Sequence, residues 1–128
     1  MLRQTTPKLA LVAETRLNRE FSEYALRLAV RLDLEIIVLF IGQEEAGQRM
    51  TTAELEQVVE QEAAVFTARA WRKSVQVTTV VDSAARQTAL QRLQKANPGI
   101  RFVLTSPDTA GMRQGLGCGY KLTVIRPG

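Results

Sequence analysis

The chain has 128 residues, of which 45% are hydrophobic and 23% charged, enough for one domain with a buried core and too few for two. That balance excludes wholesale disorder, and no apolar run approaches the roughly 20 residues that a membrane span needs. The net charge of +4 is dispersed along the chain and only 5% of residues are aromatic, so neither a nucleic-acid partner nor membrane insertion is expected.

Residues 9–13, Leu-Ala-Leu-Val-Ala, form a continuous apolar run typical of a strand covered on both faces. Beyond Glu14 the period changes. Phe21, Ala25, Leu28, Ala29 and Leu32 share one stripe of a helix beginning near Arg19, with Asn18 as its N-cap. Residues 34–41 read as a second buried strand, rich in β-branched side chains and closed by Gly42. A polar loop over 43–50 leads to Thr51-Thr52-Ala53-Glu54, a capping box. The helix behind it sets Leu55, Val58, Val59, Ala63, Phe66 and Ala70 on one inward face, and Trp71 near its end is expected to pack.

Residues 75–81 are a third strand, less uniformly apolar and therefore nearer a sheet edge. A weaker helical pattern over about 84–96 turns Ala89, Leu90 and Leu93 inward, and Asn97-Pro98-Gly99 stops it. Residues 100–105 make a fourth strand, which Ser106-Pro107-Asp108 breaks. Residues 111–120 are loop by composition, and 121–126 form a fifth strand ended by Pro127.

The order βαβαβαβ, then loop and strand, predicts an α/β fold with a mostly parallel sheet covered on both faces. In such sheets ligands sit at the carboxyl ends of the strands, where the winding direction reverses. With the first strand central, the crevice lies between strands one and four, framed by residues 14–18 and 106–120. Glu14 and Arg16 there either meet a polar ligand or form a surface ion pair. The glycine-rich loop is either a backbone-amide nest for an anion, with Arg113 adding charge, or a connector that needs glycines to turn quickly.

Catalysis finds no support in the residue inventory. There is no histidine, the commonest acid, base and metal ligand at neutral pH. The lone cysteine, Cys118, and scattered carboxylates give no zinc spacing, and neither a Gly-x-Ser-x-Gly elbow nor a Walker motif occurs. A binding protein is expected, not an enzyme. One cysteine also means no internal disulfide, in keeping with a reducing cytoplasm. The first seven residues contain no apolar h-region, so a cytoplasmic protein is expected.

Taken in order, these blocks resemble the universal stress protein family. The carriers are an apolar first strand ending in an acid, the helix segment Tyr24-Ala25-Leu26-Arg27-Leu28-Ala29-Val30, the strand after Asp33-Leu34, the strand Phe102-Val103-Leu104-Thr105-Ser106, and the closing Leu122-Thr123-Val124-Ile125-Arg126-Pro127. The resemblance covers nearly the whole chain. It implies a doubly wound five-stranded sheet of order 3-2-1-4-5, a homodimer through the last strand, and an adenine nucleotide, ATP or AMP, as ligand in many members. By the same resemblance the site would comprise Glu14, Thr15, Ser106, Gly111, Arg113 and Gly115. Glu14 stands where the family has Asp, and three residues instead of two separate Gly111 from Gly115. Only five residues separate Gly115 from strand five, so the family's Gly-Ser or Gly-Thr and its fourth helix, which needs about 11 residues for three turns, are missing. Without that helix no N-terminus points at a phosphate from this side. The expectation is a universal-stress-protein-like binding or regulatory module whose nucleotide site is weak or lost. The alternative is a structural domain that binds a partner protein and no small molecule.

Overall fold

A computed structural model describes residues 6–14, 17–41, 51–105 and 121–125. They form β1 (Lys8–Ala13), α1 (Arg19–Leu32), β2 (Glu35–Ile41), α2 (Thr52–Arg72), β3 (Val77–Asp82), α3 (Arg86–Ala96), β4 (Ile100–Thr105) and β5 (Lys121–Val124). The strands make one sheet of order β3-β2-β1-β4-β5. β1 pairs in parallel with β2 and β4, β2 pairs in parallel with β3, and β5 runs antiparallel to β4.

β1 is central, and its composition explains why. Leu9, Ala10, Leu11 and Val12 have no exposed surface at all. Alternate residues of β1 and β2 serve opposite faces. Leu9, Leu11, Ile36, Val38 and Phe40 pack with Phe21, Ala25 and Ala29 of α1 and with Leu55, Val59, Phe66 and Ala70 of α2. Ala10, Val12, Ile37, Leu39 and Val103 pack on the other side with Ala89 and Leu93 of α3. Leu11, Val38 and Val103 thus lie in three neighbouring strands, with Val103 on the α3 side.

The helix signals behave as local chemistry dictates. The Asn18 side chain accepts the Glu20 N–H at 2.8 Å, while buried Ser22 donates its hydroxyl to the Asn18 carbonyl at 2.8 Å. α1 ends on Asp33 in the left-handed region, φ 55°, a geometry that aspartate tolerates better than most residues. At α2 the Thr51 hydroxyl accepts the Glu54 N–H, and the Glu54 carboxylate accepts the Thr51 N–H, both at 3.2 Å. Thr51→Ala is expected to lower stability by about 1 kcal/mol, read as a lower urea midpoint at unchanged slope. An unshifted midpoint means that the cap contributes nothing to the folded state.

Several expectations need correction. The third strand begins at Val77, two residues late, because the Val75 N–H still bonds the Ala70 carbonyl at the end of α2 (2.9 Å). The third helix begins at Arg86, after an Asp82–Ala84 turn. β5 ends at Val124. Val58 is 47% exposed, Leu32 44% and Trp71 82%, so none of them packs into the core as the periodicity suggested.

The direction of β5 answers the question of the short connector. A parallel fifth strand would require a crossover from one end of the sheet to the other. An antiparallel strand starts where β4 finishes, so the chain turns back at the same end. Three helices lie among the described residues.

Candidate functional site

The sheet order places the reversal of winding between β1 and β4: β1 leads through α1 to β2 on one side, while β3 leads through α3 to β4 on the other. The carboxyl ends of β1 and β4 therefore flank the crevice where doubly wound sheets take their ligands. Glu14 follows the last residue of β1 and stands on this rim. Its side chain is 43% exposed, and its Oε1 lies 3.7 Å from Nη2 of Arg86, the first residue of α3. The acid expected to meet a ligand thus has a protein partner. The pair is long and solvated, worth about 0–1 kcal/mol, so a better ligand for either charge could displace it. Of the residues named from the sequence, Glu14 is the one described. Thr15, Arg16, Ser106, Gly111, Arg113, Gly115 and Cys118 lie outside the described residues.

Other groups on this rim were not anticipated. Asp82, at the end of β3, accepts the Ala84 N–H at 2.9 Å and receives Nη1 of Arg92 at 3.3 Å. The Ser83 and Thr52 hydroxyls lie 3.1 Å apart, tying the end of β3 to the start of α2. Glu62 of α2 accepts the Leu17 N–H at 3.3 Å, fixing the chain as it enters α1. The rim is therefore laced with paired charges: Glu14 with Arg86, and Asp82 with Arg92. The one advance signal was Asp82-Ser83 at the end of a strand, a turn-forming pair. Among the described residues, no three His, Cys, Asp or Glu side chains are grouped to hold a metal, and no helix is long and apolar enough to cross a membrane.

Neither a protein-family model nor a curated protein matches the sequence. The fold does have a match among solved structures. The crystal structure of a protein from the universal stress protein family of Burkholderia pseudomallei superposes with a TM-score of 0.56, covering 98% of this chain and 100% of that one at 15% identity. The fold is universal-stress-protein-like. At this identity the likeness carries the architecture, including the 3-2-1-4-5 sheet expected from the sequence, and leaves the site to be argued from its own residues.

Proposed function

We propose that this chain is a divergent universal-stress-protein-like regulatory module that acts by binding and not by catalysis, with an adenine-nucleotide site that is weak or lost. The observation that carries the reading is the full-length likeness to a protein of that family. The weakness of the site is argued from two features. Glu14 is one methylene longer than the aspartate the family has at that place, and only five residues separate Gly115 from β5, too few for the fourth helix whose N-terminus would face the phosphates. Self-association through β5 belongs to the same reading. Among the described residues β5 is the last strand of the sheet, Leu122 and Val124 on it are 37% and 61% exposed, and an apolar edge invites pairing with another copy.

Calorimetric titration with ATP, AMP and adenosine tests the nucleotide site. The expected result is an affinity no tighter than high micromolar, about −5 to −6 kcal/mol. Where binding is measurable, Arg113→Ala should weaken ATP more than adenosine, because the lost contact is to phosphate. Glu14→Ala should weaken both alike. Tight ATP binding would overturn the weak-site reading and restore a working nucleotide sensor. The second reading, a structural partner-binding domain without a small ligand, is favoured by the few residues between Gly115 and β5 and gains if no nucleotide gives heat.

A further inference from the structure

Among the described residues β3 is the last strand of the sheet on its side, and its register shows which backbone groups face outward. The Ile36 N–H bonds the Gln76 carbonyl at 2.9 Å, and β2 and β3 run parallel with Val38 opposite Thr79. In a parallel ladder alternate residues bond to the same neighbour. Thr78 and Val80, in step with Gln76, therefore turn their N–H and C=O groups to β2. Val77, Thr79 and Val81 turn theirs to the open edge, where no described residue pairs with them. Residues 77–81 include no charge or proline of the kind that blunts an exposed edge.

A groove of about 650 Å³ lies between the same strand and α2. Thr79 and Val81, two of the residues with an open backbone, line it from the sheet, while Glu56, Val59, Glu60 and Ala63 line it from the helix. The chain carries a net charge of +4, yet no cation is among the described residues of this lining. Glu54, which also borders the groove, is engaged in the capping box. Glu56 and Glu60 are exposed and have no ion pair among the described residues. Four residues apart on one helix, they repel each other.

We propose that the β3 edge takes up an extended basic segment of another protein as an added strand, with Lys or Arg at alternate positions reaching Glu56 and Glu60. Strand addition draws its affinity from main-chain hydrogen bonds and its specificity from alternate side chains. The spacings agree. Residues two apart on a strand are separated by about 6.6 Å, and residues four apart on a helix rise by about 6 Å. A long aliphatic stem can lie along Val59, Ala63 and Val81 with its charge in water beside the carboxylates. A second copy of this chain suits the edge poorly. Two β3 strands paired antiparallel about an axis normal to the sheet leave both α2 helices on one face. Glu56 and Glu60 of the two copies then come together, and like charges across an interface are costly. β3 and β5 are opposite edges of the sheet. The contact is thus separate from the β1–β4 crevice and stands whether or not a nucleotide binds there.

The probe is a labelled, end-capped peptide of about ten residues that alternates Lys and Thr. With the full chain at about 50 mM salt, fluorescence anisotropy should give a Kd of about 100 μM or tighter, and a peptide with Glu in place of Lys should not bind. Glu56→Gln with Glu60→Gln should weaken the Lys peptide by about tenfold or more. Both side chains are exposed, and circular dichroism checks that the variant stays folded. N-methylation separates strand pairing from charge attraction alone. Alternate N–H groups of an added strand face its neighbour and the others face away. Of two peptides N-methylated at every Lys or at every Thr, one should therefore lose binding and the other keep it. Overturning results are no binding at about 1 mM peptide, an affinity unchanged by the double substitution, or equal binding of the two methylated peptides.

Discussion

Truncating Leu11 to Ala is expected to lower the unfolding free energy by about 2–5 kcal/mol. Leu11 has no exposed surface and stands in the middle of the middle strand, opposite Val38 of β2 and Leu104 of β4. Its side chain fills the layer beneath α1 and α2, where Phe21, Leu55 and Phe66 share the same cluster. A close-packed interior relaxes only partly around a deletion, so the lost transfer energy and the cavity add. Domains of this size hold about 5–15 kcal/mol in total, so this one change removes a large share. Val103→Ala, on the α3 side, loses two carbons instead of three and should cost less, at about 0.8 kcal/mol per carbon before any cavity term. Urea unfolding should show both midpoints lowered at unchanged slope. A Leu11→Ala midpoint equal to wild type would mean that β1 is not the central strand.

That strand was legible because its reason for being buried is written in consecutive residues. Leu9 to Ala13 and the run through Phe40 have no polar side to offer water, so only two covered faces suit them. α1 was legible because Phe21, Ala25 and Ala29 repeat at helical spacing over a capping Asn18. α2 was misread in part. Val58 and Val59 are adjacent, about 100° apart around a helix, and only one of them can sit squarely in the buried sector that Leu55, Phe66 and Ala70 define. A wide apolar stripe hides that choice until the sheet beneath it is known. The direction of β5 could not come from its own residues either, since alternation reads the same both ways. The candidate site was legible as a place and not as a set of partners. Strand order alone located the crevice, whereas the Arg86 partner of Glu14 comes from a helix on the far side of the sequence, brought there by the β3-to-β4 crossing.

Placing a carboxylate at Val12 is expected to have the larger effect and to make it depend on pH. Val12 is fully buried on the α3 side of β1, among Ala10, Leu39 and Val103. A fully buried carboxyl has its pKa raised by up to 3–5 units above the value of about 3.9 in the unfolded chain. The sign follows from linkage. With the folded pKa raised, the unfolded state releases its proton first, so stability falls as pH rises from about 4 and keeps falling until the folded pKa is passed. At pH 7 the span is about three units, or about 4 kcal/mol at 1.36 kcal/mol per unit, in addition to the packing lost with the valine. Val12→Asn isolates this electrostatic part, since it removes the same packing and does not titrate. Urea midpoints of the two variants should nearly coincide near pH 4 and separate as pH rises, with the aspartate variant the weaker. Equal midpoints at pH 7 would mean that water reaches Val12, and that the α3 side of the central strand is not sealed as a doubly wound sheet requires.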